Sequence, residues 1–209
     1  LFPKKIVNSS KFCVIHNAVD REKYKYSVQK REEIRGSMGI TDQFVIGHVG
    51  NFCYQKNHYF LLDVFEEVHK KDPNTVLLLA GDGVRFEKVR QIVAEKNLED
   101  VVKLLGRRSD TDYLYQGMDA FLLPSNFEGL PIAGIEAQSA GLPCFMSDEI
   151  TKESKITEAC YFIPLKSGAK YWAEEILDNR MERQSAEFLD NAEQYDLANQ
   201  DQELKSLIR

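Results

Sequence analysis

The sequence predicts an α/β fold in which a parallel sheet is covered by helices on both faces. Short and almost entirely apolar segments alternate along the chain with longer amphipathic ones. Strands that are buried on both faces read as continuous apolar runs, and an intervening helix makes successive strands parallel. The chain has 209 residues, 43% of them hydrophobic, which suffices for one substantial globular domain with an appendage.

The alternation is preceded by a predicted connector, residues 1–40. It contains a short β-branched run that ends in a polar turn at His16-Asn17, and then a charged helical stretch, VQKREEIRGSMG, that ends in glycine. The domain itself is predicted to occupy residues 41–168. Its first strand is FVIGHVG at 44–50, and apolar residues at helical spacing predict a helix over 57–72.

The remaining elements follow in the same rhythm. Strands are predicted from the apolar runs TVLLLAG, VVKLLG, DAFLLP, LPCFMS and ACYFIPL, and helices from VRFEKVRQIVAEKN, from a short stretch near Thr111 to Gly117, and from LPIAGIEAQSAG. The last of these helices has proline near its first turn and glycine at its end, as helices prefer. Residues 169–209 are polar and contain no strand pattern, so we expect one or more outer helices there.

Composition excludes several classes of function. A net charge of -6 argues against a nucleic acid held by bulk electrostatics. The longest apolar runs fall far short of the ~20 residues of a membrane-spanning helix. The cysteines form no CxxC and the histidines no HExxH, so we expect neither a disulfide framework nor a metal site. With no apolar signal segment at the N-terminus, a cytoplasmic location fits best.

Chemistry-bearing residues gather where strands end, and in open parallel sheets ligands bind outside the carboxyl ends of the strands. Asn51 and Lys56 follow the first strand, just ahead of a helix whose free amides and neighbouring lysine suit a phosphate. Gly106 and Arg107 follow the third strand. Each residue also has a plainer explanation, such as a solvated surface lysine or a solvated corner. Their recurrence on successive strand ends favours a ligand site.

The segment PSNFEGLPIAGIEAQSAGLPC carries two carboxylates after the fourth strand. Glu128 lies in the loop, where it either binds a ligand or caps the following helix. Glu136 lies among small and apolar helix residues, where an acid without partners would be costly. Phosphate-binding amides and lysine, combined with hydroxyl-binding carboxylates, suit a sugar nucleotide.

This segment resembles the signature of family 4, or group 1, glycosyltransferases: a glutamate, seven residues, a second glutamate, a small-residue helix and Gly-x-Pro. Glu128 and Glu136 match its spacing, and FVIGHVGNFCYQKNH resembles the strand, loop and helix around the family's phosphate-binding lysine. The resemblance covers roughly residues 12–165. It implies the C-terminal, donor-binding half of a GT-B architecture, with a Rossmann-like sheet, and an N-terminal acceptor domain that these residues do not resemble.

The resemblance also implies roles for individual residues. Lys56 would contact the donor diphosphate as it leaves, and Glu128 would lie near the hydroxyls of the donor sugar. The ribose hydroxyls would donate to Glu136. Two further groups would take part: the backbone of Gly129, Leu130 and Ile132 would support sugar and phosphate, and the loop at Gly106 and Arg107 would lie beside the base. The family uses no metal and no cofactor, only the nucleoside-diphosphate sugar as substrate.

By resemblance, then, we expect a retaining, hexosyltransferase-type enzyme that uses a UDP- or GDP-sugar and a glycan or lipid-linked acceptor, as in bacterial surface polysaccharide synthesis. This chain would be inactive without the acceptor domain, and peripheral membrane association of the full protein stays open. Asn51 departs from the family, which often has arginine there. Two alternatives stay open as well: a sugar-nucleotide epimerase, and a non-catalytic nucleotide-sugar-binding module. An NAD-dependent oxidoreductase is remote, because the lone GDG turn is no GxGxxG fingerprint.

Overall fold

The computed structural model describes residues 17–200 and Lys205. The predicted β-branched run before His16 lies outside these residues. The described chain forms one six-stranded parallel sheet in the order β3-β2-β1-β4-β5-β6. Its strands are β1 (Phe44–Val49), β2 (Thr75–Ala80), β3 (Val102–Gly106), β4 (Ala120–Leu123), β5 (Cys144–Ser147) and β6 (Cys160–Ile163). The predicted α/β fold with a Rossmann-like parallel sheet is confirmed.

Seven α-helices with described bounds accompany the sheet, and residues 197–200 and Lys205 are helical as well. The seven are α1 (Arg21–Tyr24), α2 (Val28–Ser37), α3 (His58–Lys71), α4 (Phe86–Glu95), α5 (Thr111–Gly117), α6 (Ile132–Ser139) and α7 (Gly168–Asp178). Helices α2 to α6 lie where the sequence predicts helices. Among the helices described, none is both long and apolar enough to cross a membrane.

The strands bury side chains on both faces because successive residues point to opposite sides of a sheet. In β2, Leu78 packs into one hydrophobic cluster, and Leu77 and Leu79 pack into the other. The first cluster receives side chains from α1, α2, α5 and α6, and the second from α3, α4 and α7. This two-sided burial explains why the strands read as continuous apolar runs.

The buried carboxylate of Asp119 ties α2 to the centre of the sheet. Its oxygens accept from Arg31 Nη2 at 2.5 Å and from Arg35 Nη1 at 3.1 Å, and the Val45 amide of β1 donates to it at 2.8 Å. Arg35 also donates to the carbonyls of Thr41 and Gln43. The segment ahead of the predicted domain is therefore packed on the sheet through a charged and fully hydrogen-bonded cluster.

The region after β6 contains both helical and irregular segments. Helix α7 begins before Tyr171 and ends at Asp178, and residues 180–189 run without helix until a 3₁₀ segment at Asp190–Tyr195. The irregular stretch passes close to the turn between α6 and β5. A Cβ on Gly141, whose φ is +72°, would lie 2.1 Å from the Gln184 carbonyl oxygen. Tertiary contact of this kind overrides the helical composition of the segment. Residues 201–204 and 206–209 lie outside the described chain.

We expect Asp119→Asn to lower the free energy of unfolding by about 3 kcal/mol, because it leaves two largely buried guanidinium groups without a counter-charge. The side chains of Arg35 and Asp119 are only 8% and 11% exposed. Urea unfolding monitored by Trp172 fluorescence measures the change.

Asp110→Asn is the matched control, since it removes the partner of Arg108 in a pair whose side chains are 36% and 39% exposed. We expect that variant to lose less than about 1 kcal/mol. If both variants lost the same small amount of unfolding free energy, Asp119 would not stabilise the fold as we infer.

Candidate donor-binding site

The strand order reverses at β1 and β4, and this reversal creates a crevice at the carboxyl edge of the sheet. β1 and β4 pair directly, yet the loop after β1 leads to α3 on one face and the loop after β4 leads to α6 on the other. A crevice between two such diverging loops is the usual ligand site of an open α/β sheet.

A cleft of about 530 Å³ opens beside this point, over the ends of β1, β2 and β3. Hydrogen bonds hold its floor together: the Gly50 amide donates to Ala80 O at 3.0 Å, and the Gly81 amide donates to Gly106 O at 2.8 Å. Gly81 has φ +142°, and a Cβ there would lie 1.9 Å from the Gly50 carbonyl oxygen. The lining residues are Val49, Gly50, Asn51, Ala80, Gly81, Asp82, Gly83, Arg107, Arg108 and Thr111.

Lys56 and Glu128 meet across the crevice, although 72 residues separate them in sequence. Lys56 Nζ lies 2.6 Å from Glu128 Oε1, and the two side chains are 15% and 6% exposed. The Ser125 hydroxyl donates to the same carboxylate oxygen at 2.6 Å. No described residue donates to Glu128 Oε2, so that oxygen is free to accept from a ligand.

The backbone of the two loops fixes this meeting. The Asn126 amide donates to Gln55 O at 2.8 Å, and Asn126 Nδ2 donates to Tyr54 O at 2.7 Å. Because these bonds flank Lys56 and Glu128, the ion pair is built into the loop conformation. Glu128 does not cap α6, whose N-cap residue is Pro131.

Glu136 lies in α6, and a tyrosine hydroxyl donates to each of its oxygens. Tyr24 of α1 donates to Oε1 at 2.6 Å, and Tyr115 of α5 donates to Oε2 at 2.9 Å. Burial, and then the neighbouring Glu136, raise the pKa of both tyrosines well above the usual value, so the hydroxyls stay protonated as donors. The need of this acid for partners was predictable, but nothing in the sequence pointed to these two tyrosines.

Gly129, Leu130 and Ile132 lie at the entrance to α6, beside Glu128. The first amides of a helix have no acceptor within the helix and favour an anion. Gly129 is exposed, and a Cβ on it would meet no atom within 4 Å. Its backbone is therefore open to solvent and can be approached closely.

Asn51 and Arg107 face the same cleft, and both are exposed. Arg108 is neutralised by Asp110 at 2.6 Å, whereas no ion pair of Arg107 occurs among the described residues. Gly106 ends β3 with φ +64° and turns the chain towards Arg107. Arg107 thus brings an uncompensated positive charge to the cleft, while Asn51 brings a neutral amide.

Two buried histidines lie beneath the Lys56 loop. The His48 and His58 rings are 4.8 Å apart, and the Phe52 ring stacks on His58 at 4.0 Å. His48 Nδ1 lies 2.8 Å from Leu122 O, so it carries a hydrogen and Nε2 is the bare nitrogen. Burial, and then nearby Lys56 and Arg85, lower the pKa of His58 to about 4. The histidines are ten positions apart in sequence, so only the fold brings them together.

The model of the family described as "Glycosyl transferases group 1" matches residues 30–195, which is most of the chain. The chain belongs to the group 1 glycosyltransferases, and its fold is that of the C-terminal domain of a GT-B enzyme.

Individual relatives agree with this assignment. The chain is 33% identical over 146 residues to the UDP-Gal:alpha-D-GlcNAc-diphosphoundecaprenol alpha-1,3-galactosyltransferase of Escherichia coli, covering 68% of this chain and 38% of that enzyme. It is 31% identical over 108 residues to the amylovoran biosynthesis glycosyltransferase AmsD of Erwinia amylovora, covering 52% of this chain and 30% of AmsD. This chain therefore spans well under half the length of these relatives.

Among solved structures, HepE of Anabaena in complex with UDP and glucose superposes with a TM-score of 0.79 at 22% identity. The likeness covers 94% of this chain and 56% of HepE. At this identity it shows a shared fold.

We expect stability to fall as pH drops from about 6.5 towards 4, partly because of His58. Its pKa is lower in the folded protein, so the unfolded chain binds the extra proton first in this window. Above it, both states hold a neutral imidazole and the contribution is constant. Replacing His58 by glutamine should reduce the loss in the free energy of unfolding over this pH range by on the order of 2–3 kcal/mol.

Urea unfolding at pH 7.0, 5.5 and 4.5 measures this change. His69→Gln is the control, because His69 is only partly buried and lies far along α3 from the Lys56 loop. The same steep loss of stability in His58→Gln and wild type would exclude His58 as its source.

Proposed function

We propose that this chain is the donor-binding half of a retaining hexosyltransferase that transfers the sugar of a UDP-sugar. The acceptor would be a glycan or a lipid-linked sugar in bacterial surface polysaccharide synthesis. The observation that carries the proposal is the Lys56–Glu128 pair, set at the strand-order reversal beside the free amides of α6. Cationic and amide donors for phosphates stand there next to a carboxylate oxygen free for a hydroxyl.

The names of the relatives support uridine as the base and polysaccharide synthesis as the context. The Escherichia coli relative is named for a UDP-galactose donor and a diphosphoundecaprenol acceptor, and AmsD for amylovoran biosynthesis. The fold neighbour HepE was solved with UDP. A GDP-sugar is the second choice of donor, to be separated by direct titration.

In the proposed reaction, the bond between the anomeric carbon and the β-phosphate oxygen breaks. The diphosphate leaves with the electron pair, the acceptor hydroxyl forms the new bond to carbon, and its proton passes to the departing phosphate. Negative charge grows on the leaving group, so preorganised positive charge beside it lowers the barrier. Lys56 and the α6 amides supply that charge, and the proposal uses no metal ion or cofactor.

Lys56 can serve the phosphate without releasing Glu128. An ammonium group has three N–H donors, and one of them is used on Glu128 Oε1. The remaining donors are available to the diphosphate. Glu128 Oε2 then accepts from a hydroxyl of the transferred sugar, which places that sugar between the two loops.

Asn51 and Arg107 modify this scheme. Asn51 can donate a hydrogen bond to a phosphate but adds no charge. Arg107 is an exposed cation of the cleft and has no ion pair among residues 17–200, and we assign it to the outer part of the nucleotide, beside the backbone of Gly106. We assign the acceptor site to the N-terminal acceptor domain of the GT-B architecture. We expect this chain to be inactive in transfer by itself.

Lys56→Ala should weaken UDP binding by about 10- to 100-fold, the loss expected when a charge-assisted hydrogen bond is removed. Binding of UMP, which lacks the β-phosphate, should change less. Isothermal titration calorimetry measures both affinities.

Lys70→Ala is the control, because Lys70 pairs with Glu66 and Glu67 on the exposed side of α3. It should bind UDP like wild type. If Lys56→Ala binds UDP with unchanged affinity, the lysine has no role at the diphosphate. If wild type binds neither UDP nor GDP, the proposed function is wrong.

A product analysis distinguishes the transferase from its alternatives. A full-length enzyme that joins this chain to an acceptor domain should release UDP from a UDP-sugar only when an acceptor is present. Recovery of an epimerised free donor, followed by chromatography, would instead identify an epimerase. Donor binding without any turnover, which the neutral Asn51 would favour, would identify a binding module.

A further inference from the structure

Glu136 is held by two tyrosines from different parts of the chain. Tyr24 comes from α1, ahead of the first strand, and Tyr115 comes from α5. Their rings meet edge to face with centroids 5.7 Å apart, and they are 6% and 0% exposed. The two hydroxyls therefore reach the carboxylate from rigid, buried rings.

Each carboxylate oxygen receives one tyrosine hydroxyl, at 2.6 Å for Oε1 and 2.9 Å for Oε2. An ionised carboxylate has about four acceptor sites, two on each oxygen. One site on each oxygen is thus left, which matches the two neighbouring hydroxyls of a ribose. The single hydrogen of the Tyr115 hydroxyl is shared with Ala133 O, which lies 3.2 Å away.

We propose that Tyr24 and Tyr115 are positioning residues that orient Glu136 to accept from the 2′- and 3′-hydroxyls of the donor's ribose; this rests on the proposed function. A free glutamate side chain loses rotamer freedom when it binds a ligand, and preorganisation removes that cost. Because Tyr24 lies ahead of the sheet, the ribose site is composite: the connector supplies one of its supports.

The helix that carries Tyr115 begins at the cleft. Thr111 is the first residue of α5 and lines the cleft. Helix α1 is itself anchored, since Asp20 caps it and Arg21 pairs with Asp196 at 2.6 Å. The cap and the ion pair thus fix the helix that carries Tyr24.

The test compares two probes, UDP and 2′,3′-dideoxyuridine 5′-diphosphate, which lacks both ribose hydroxyls. Tyr24→Phe removes one hydroxyl and keeps the ring. We expect it to weaken UDP binding about three- to tenfold and to leave the dideoxy probe nearly unchanged, so that the ratio of the two affinities falls. A purely structural role would weaken both probes alike and leave the ratio as in wild type.

Tyr113→Phe is the matched control, since Tyr113 lies on the same helix as Tyr115 but is 36% exposed and contacts Lys30. It should keep the wild-type ratio. If Tyr24→Phe fails to fold, Tyr115→Phe decides by the same ratio. A wild-type ratio in the folded variants overturns the inference but leaves the proposed function intact, whereas absence of UDP binding by wild type overturns both.

Discussion

The direct pairing of β1 with β4 is the constraint on which the rest of the site depends. Successive crossovers place β2 and β3 on one side of β1 and place β4, β5 and β6 on the other. The loops after β1 and β4 must then part towards opposite faces while their strands stay in contact. Lys56 and Glu128 occupy these two loops, so an ion pair between residues far apart in sequence follows from strand order.

Asp119 extends the same constraint to the connector. Asp119 lies just ahead of β4. It accepts a hydrogen bond from the Val45 amide of β1 and binds Arg31 and Arg35 of α2. Because α2 follows α1 within a few residues, this cluster also limits where Tyr24 can lie. The charged cluster at one end of β1 and β4 and the donor site at the other end are thus connected through the same two strands.

How much could be predicted from the sequence depended on the range of the interactions. The strands were predictable because burial on both faces leaves a continuous apolar run, as in TVLLLAG. Helices α2 to α6 were predictable from residue spacing and end signals that are local in the sequence. Residues 180–189 were not, because their path follows a close approach to Gly141. At the site, Lys56 and Glu128 could be placed at the strand ends by a topological rule. The pairing of Tyr24 with Glu136, and of His48 with His58, depends on contacts that no local pattern encodes.

The two glutamates are held by different chemistry, and the difference fits the ligand groups proposed for them. Glu128 is paired with a cation, which leaves a positive group where phosphates would lie. Within the described part of the chain, Glu136 accepts hydrogen bonds from neutral hydroxyl donors only. Each tyrosine hydroxyl takes one acceptor site of an oxygen that has about two, so the carboxylate keeps its negative charge and further sites for hydroxyl donors. Neutral supports keep the carboxylate oriented and still able to accept, as selection of a polar but uncharged sugar requires.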